Sequence, residues 1–313
     1  MPRILLPVGV LAIAALGLTT RPSQDLPVFK AQSELVVLHV VVKDQHGAYV
    51  GGLSADAFEV LEDGRPQPIA LFAPEDSPVT VGLLIDSSGS MMRVRDRVLA
   101  ASSSFIQSSN PGDEVFALTF NDDIRIVPGS PPHFVGDADT LRRLLAGVFM
   151  PAGRTKLYDA IAEGLSYVST GTRNRRVLVV LSDGGDNASQ STFSDVLMLT
   201  QASNVVVFAI TLVDPLDEEA NPRGLRQIAE GSGGAAFTPR DISAVDRAFQ
   251  QIARDVRSSY TIGYGPANTS LRPGLRRIRV EVHANDGRRL KARTRTAYLA
   301  GGTGQNGGVN HAR

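Results

Sequence analysis

Between residues 79 and 256 the chain alternates short apolar runs with stretches whose apolar residues recur every three to four positions, and few folds accept that pattern. The runs at 81–85, 114–120, 177–181 and 205–211 are too short for typical helices and almost continuously apolar. They read as strands buried on both faces. Helical spacing fills the intervals at 93–107, 139–145, 156–168, 192–201, 222–230 and 241–256. Residues 124–127, after the turn Asn121-Asp122-Asp123, predict an antiparallel edge strand, and 235–238 a short strand that closes the set. Strands alternating with helices predict an α/β fold with a doubly wound sheet. In such sheets ligands bind beyond the carboxyl ends of the strands, where the strand order reverses.

Oxygen-bearing side chains stand at those ends. Asp86-Ser87-Ser88-Gly89-Ser90 follows the first run, Thr155 lies in Gly153-Arg154-Thr155, and Asp183 follows Leu178-Val179-Val180-Leu181-Ser182. Small hard cations such as Mg2+ choose oxygen ligands at about 2.1 Å in octahedral geometry and keep several waters. Ser88 and Ser90 are two apart, so a sharp loop can turn both hydroxyls to one side, with the charge of Asp86 just beneath. Thr155 and Asp183 would close the ring. Taken alone, the segment from Asp86 to Ser90 suits a helix cap equally well, because Ser and Asp are favoured there. With Thr155 and Asp183 in register, the metal reading is preferred.

The order DxSxS, then a distant Thr, then a distant Asp at a strand end, resembles the metal-ion-dependent adhesion site of von Willebrand factor type A domains, with all five positions present. That resemblance implies a Rossmann-like domain. It implies Ser88, Ser90 and Thr155 as direct ligands of Mg2+, or of Mn2+ or Ca2+, with Asp86 and Asp183 acting largely through bound waters. One coordination position stays open for a carboxylate of a protein partner. A helix starting after Ser90 would turn its positive end toward the site and favour that anion.

The flanks follow a different period. Residues 34–44 are β-branched and apolar, 58–62 alternate before the hairpin signal Asp63-Gly64, and Pro66 and Pro68 interrupt the chain before 69–72. Beyond residue 256, segments 259–264, 277–282 and 291–298 return to period two. Too few on either side for a stable sheet, these strands are expected to pair into a small β-sandwich carrying the α/β domain as an insertion. Leu53-Ser54-x-Asp56-x-Phe58, Glu62-Asp63-Gly64-x-x-Gln67 and Tyr260-x-x-Gly263-Tyr264 resemble a bacterial subgroup of secreted von Willebrand factor A-related proteins. The expected organisation is an export signal at 1–23, N-terminal strands at 31–76, the α/β domain at 78–257, C-terminal strands at 258–299 and a disordered tail at 300–313. A chain of 313 residues with 42% hydrophobic content is long enough for two such units.

Arg3 followed by the apolar run at 4–18 reads as a secretory signal and places the protein outside the cytoplasm, secreted, periplasmic or on the cell surface. The run is short for a membrane span, and membrane attachment would follow only if it stayed uncleaved. Lys+Arg and Asp+Glu are equal at 32 each, so no net charge recruits nucleic acid. Cysteine is absent, which excludes disulfides, zinc-thiolate sites and a thiol nucleophile. The Arg- and Lys-rich stretch 272–295 alternates with apolar residues as an exposed sheet face does. Asp186 and Asn187 could assist the site beside Asp183, but turn chemistry beside Gly184-Gly185 is the preferred reading; Asp159 either orients the Thr155 loop or faces solvent near a helix start, and is not taken as a ligand. The acidic group Asp214, Asp217, Glu218 and Glu219 reads as a solvated loop, or equally as one that touches a partner at the metal site.

The expected function is therefore metal-dependent protein binding or adhesion, not catalysis. Two alternatives stand beside it. One is an assembly module whose metal site is vestigial; the other is a metal-dependent hydrolase. For the latter the phosphate loop, the G-x-S-x-G elbow and the H-E-x-x-H helix are all missing, and His39, His46, His133, His283 and His311 show no ligand spacing.

Overall fold

The continuous apolar runs become a buried sheet, and the helical stretches become its two covers. The structure, a computed structural model, describes residues 35–300 except 108, 111, 129–133, 136–137, 213–220, 242, 268–273 and 285–288. The segment read as an export signal, the acidic loop from Asp214 to Glu219 and the tail beyond residue 300 lie outside the described residues. Four strands come first: β1 (Val36–Asp44), β2 (Phe58–Glu62), β3 (Arg65–Gln67) and β4 (Ile69–Ala73). The α/β part follows with β5 (Val79–Asp86), α1 (Arg95–Gln107), β6 (Glu114–Phe120), β7 (Ile124–Val127), α2 (Ala138–Val148), α3 (Leu157–Ser169), β8 (Arg175–Ser182), α4 (Phe193–Ala202), β9 (Val205–Thr211), α5 (Pro222–Gly231), β10 (Ala236–Phe237) and α6 (Ser243–Arg257). The last strands are β11 (Ser259–Tyr264), β12 (Gly274–Val282), β13 (Leu290–Arg293) and β14 (Ala297–Ala300).

The central sheet has the order β10-β9-β8-β5-β6-β7, parallel throughout except for β7 at one edge. Every residue of β5 is buried, as expected of a parallel strand covered on both faces. Successive β5 side chains serve opposite cores. Val81, Leu83 and Ile85 pack in the layer that holds Phe105 of α1, Leu145 of α2 and Phe249 of α6. Leu84 packs in the other, with Ile161 of α3, Val196 of α4 and Ile228 of α5. Each such aliphatic side chain withdrawn from water contributes about 1.5–3 kcal/mol before chain entropy is counted. β6 lies on one side of β5 and β8 on the other, so the strand order reverses at β5. The carboxyl ends of β5 and β8 therefore open a single crevice.

The flanking strands form two four-stranded sheets, β13-β1-β11-β4 and β14-β12-β2-β3, each mixing strands from both sides of the α/β part. β1 runs antiparallel to β11 from Val36 opposite Tyr264 to Val41 opposite Ser259. The two sheets share one core, in which Leu38, Val40, Phe58, Val60, Tyr260, Ile262 and Ile278 are buried. The Asp63-Gly64 hairpin has positive φ at both residues, 47° and 77°, as its tight turn requires. Polar groups of the flanking motifs meet inside this core. Glu62 accepts from Arg276 Nη1 at 2.8 Å, Tyr264 Oη at 2.9 Å and Tyr298 Oη at 2.8 Å, and Tyr260 Oη donates to the Val50 carbonyl at 2.9 Å.

Three expectations change. Pro66 does not end the strand pattern but lies within β3, an edge strand where its missing N–H costs no ladder bond. The stretch 291–298 is two strands in different sheets, because the chain crosses from β1 to β12 at 294–296. The basic stretch is an exposed face only in part: Arg277, Arg279 and Lys291 are exposed as the alternation predicts, but three other arginines are not. Arg276 is buried on Glu62, Arg293 pairs with Asp255 of α6, and buried Arg295 donates to the carbonyls of Gln201 and Ser203 at the end of α4, at 2.8 and 2.7 Å. Arg175, at the start of β8, is likewise buried and holds both ends of the insertion. It donates to the carbonyls of Ser77, Val256 and Ser259 and to Thr261 Oγ1.

Candidate functional site

The last residue of β5 is Asp86, fully buried at the floor of the crevice. Its Oδ1 accepts from Ser88 N at 2.8 Å and its Oδ2 from Ser182 Oγ at 2.6 Å, so the carboxylate ties the ends of β5 and β8 together. The chain then turns sharply. Ser87 donates through N and Oγ to the Phe120 carbonyl at the end of β6, at 2.8 and 3.0 Å. A short 3-10 helix of two turns, Gly89–Val94, precedes α1, so the helix end nearest the site is that of this 3-10 segment. Ser88 Oγ and Ser90 Oγ lie 3.0 Å apart, and Ser90 Oγ donates to Asp183 Oδ2 at 2.5 Å. Asp183 Oδ1 accepts from Gly185 N at 2.9 Å. Four of the five sequence-selected side chains thus form one chain of contacts: Asp86 touches Ser88 N, Ser88 touches Ser90, and Ser90 touches Asp183.

Thr155, buried, reaches the crevice on a third segment that is hydrogen-bonded to the first. Ala152 N donates to the Ser87 carbonyl at 2.9 Å, and Gly89 N to the Gly153 carbonyl at 3.2 Å. Gly153 has φ +78°, and a Cβ there would stand 1.9 Å from Asp122 Oδ2, which itself accepts from Arg154 N at 3.1 Å. Only glycine fits that approach. Gly184, φ +86°, turns the chain after Asp183, where a Cβ would meet the Asn221 backbone at 2.8 Å.

Asp186 and Asn187 do more than make a turn. Asn187 Oδ1 accepts from Thr155 N at 2.9 Å, while the Thr155 carbonyl accepts from Asn187 N and Ala188 N, each at 3.1 Å. Asp186 Oδ1 accepts from Tyr158 N at 3.2 Å, and Asp159 accepts from Gln190 N and Ser191 N at 2.9 Å. These acids and amides lock the Thr155 segment to the Asp183 loop. Sequence reasoning weighed Asn187 and set it down as turn chemistry, and it gave Ser182 no role; the signal available for Ser182 was its place between the apolar run of β8 and Asp183.

Burial, and then the charge of Asp183, push the Asp86 carboxyl up to about 6. Neither acid has an ion-pair partner among the described residues. Two adjacent carboxylates sunk in a crevice lack a counter-charge, and a bound cation supplies one. The donor set contains only carboxylate and hydroxyl oxygens, the chemistry that Mg2+, Mn2+ and Ca2+ select. The residues therefore fit a hard divalent ion. A second group of ionisable side chains, Glu59, Glu281 and His283, has ligand atoms within 4.8 Å of one another, but it lies on the β-sandwich and two of the three are exposed.

The family model for the von Willebrand factor type A domain matches residues 81–252, more than half of the chain. The chain belongs to the von Willebrand factor type A domain family. Among solved structures it is similar to a von Willebrand factor type A protein from Catenulispora acidiphila, at 15% identity and a TM-score of 0.50, covering 86% of this chain and 75% of that one. It is also similar to proximal thread matrix protein 1 from the mussel byssus, at 15% identity and a TM-score of 0.51, covering 63% of this chain and 51% of the other. These likenesses show the type A fold. A search of curated proteins finds no match. No helix among the described residues is long and apolar enough to cross a membrane.

Proposed function

We propose that this type A domain protein works outside the cytoplasm as a metal-dependent protein-binding module. Ser88, Ser90 and Thr155 hold the divalent ion, Mg2+ or else Mn2+ or Ca2+, with Asp86 and Asp183 supplying charge and orienting bound waters. A carboxylate from the partner completes the coordination. The observation that carries this reading is the convergence of Asp86, Ser88, Ser90 and Asp183 into one contact chain with two acids and no counter-charge among the described residues. The location rests on the signal-like segment at 1–23.

Each residue has a separable task. Asp86 fixes the floor by bridging Ser88 N and Ser182 Oγ. Ser90, exposed, stands at the mouth where a partner arrives. Asn187 holds the Thr155 backbone. The ion supplies a positive centre that a carboxylate can join.

Titration calorimetry of the purified protein with Mg2+, Mn2+ and Ca2+ tests the reading. Saturable binding near one ion per chain is expected, and Asp86→Ala and Thr155→Ala are expected to abolish it. A wild-type chain that takes up none of the three ions, or variants that bind as well as the wild type, would overturn it.

A further inference from the structure

Six large apolar side chains are exposed among the described residues, and two of them, Met92 and Met150, lie on the two chain segments that carry Ser90 and Thr155. Met92 follows Ser90 by two residues on the Gly89–Val94 segment and is 56% exposed, while its neighbour Met91 is buried and anchors the segment in the core. Met150 precedes Ala152 by two residues and is 66% exposed, while its neighbour Phe149 is fully buried. The two segments run side by side through the bonds from Ala152 N to the Ser87 carbonyl and from Gly89 N to the Gly153 carbonyl. Arg95 Nε, one turn beyond Met92, donates to the Phe149 carbonyl at 3.1 Å and fastens them again. Both methionines therefore point to solvent from well-anchored backbone, and the core makes no use of them.

Charge complementarity narrows what can cover them. Arg93 is exposed on one of these segments, exposed Arg154 on the other is already paired with Asp122 at 3.0 Å, and the site between them is read as holding a divalent cation with one position open to a carboxylate, so the occupant is acidic. Methionine is unbranched and polarizable, and it accommodates varied aliphatic surfaces. We propose that Met92 and Met150 form an apolar clamp beside the metal. The partner, in this view, is a protein loop whose metal-binding Glu or Asp is flanked by bulky aliphatic residues, not by polar or basic ones. This rests on the metal-site reading above.

Two end-capped peptides of equal charge test it, Gly-Leu-Glu-Leu-Gly and Gly-Ser-Glu-Ser-Gly, titrated into Mg2+-saturated full-length protein by ligand-observed NMR. The leucine peptide is expected to bind about tenfold more tightly, since part of two aliphatic side chains leaves water. The Met92→Ser, Met150→Ser double variant is expected to bind both peptides equally and weakly, with its Mg2+ affinity and Tm unchanged. Equal binding of the two peptides to the wild type, a preference that survives in the double variant, or no binding of either peptide by Mg2+-loaded protein overturns the clamp. The metal reading fails separately. A leucine-peptide preference that persists in EDTA and is lost in the double variant supports the clamp while removing the ion from recognition.

Discussion

Asp86 and Asp183 place two carboxylates in one crevice, and in the metal-free chain their repulsion and desolvation oppose folding. Asp86→Asn keeps the acceptor for Ser88 N, turns an N–H toward Ser182 Oγ, which a hydroxyl oxygen can accept, and removes the charge. The variant is therefore expected to have a metal-free Tm equal to or above that of the wild type. It should lose the Tm rise that Mg2+ gives the wild type, which reflects a stabilisation of about 2.7 kcal/mol at 100 times Kd. Thermal melts with and without EDTA check both halves; a lowered metal-free Tm would mean that the carboxylate is structural. Asn187 acts one step removed, through Thr155 N. Asn187→Ala is expected to weaken Mg2+ binding by about 10–100-fold, the usual effect of removing a group that orients a ligand. Calorimetry giving an unchanged affinity would show that Thr155 needs no such support.

The loops at the carboxyl ends of β5 and β8 and the segment before α3 hold their shape through close approaches, of Gly184 to the Asn221 backbone and of Gly153 to the Asp122 carboxylate. Gly153→Ala adds a side chain at φ +78° against the Asp122 carboxylate. It is expected to cost about 1–3 kcal/mol and to loosen the Thr155 segment, lowering Tm and Mg2+ affinity together. Urea unfolding and calorimetry of the one variant check it; a loss of stability with intact affinity would uncouple the loop from the site. The strands of the central sheet were legible because burial on both faces leaves continuous apolar runs, as in Val205–Thr211 and Glu114–Phe120. The loop chemistry of the site was legible only in part. Asp86, Ser88, Ser90, Thr155 and Asp183 carry a pattern, but the bond from Thr155 N to Asn187 joins residues 32 apart in sequence and leaves no periodic trace. The basic stretch misled for a related reason. Alternation shows which side chains leave the sandwich core, yet Arg295 leaves it only to meet the end of α4, a neighbour that the local pattern does not contain.

The sandwich and the α/β part share a buried polar seam, and its least usual member is His39 of β1. Thr261 Oγ1 lies 3.4 Å from its Nδ1 and also accepts from Arg175 Nε at 3.3 Å. Burial first, then the charges of Arg175, Arg295 and Arg176, lower the His39 pKa from 6.5 to about 3, against a smaller opposing contribution from the Asn204 backbone. His39 is therefore neutral in the folded chain wherever that chain is stable. Between pH 6.5 and about 3 the unfolded chain binds a proton that the folded chain refuses. Stability present above pH 6.5 is consequently lost as the pH falls through that window, by about 1.4 kcal/mol per unit, or about 2 kcal/mol at pH 5. Carboxylates elsewhere add their own acid dependence, so the wild type alone does not isolate the effect. His39→Gln, which stays neutral, provides the reference. Urea unfolding at pH 7 and pH 5 is expected to show the wild type losing about 2 kcal/mol more than the variant between the two pH values. Parallel losses in the two proteins would mean that His39 is protonated without penalty, and that the seam between the sandwich and the inserted domain opens to admit solvent.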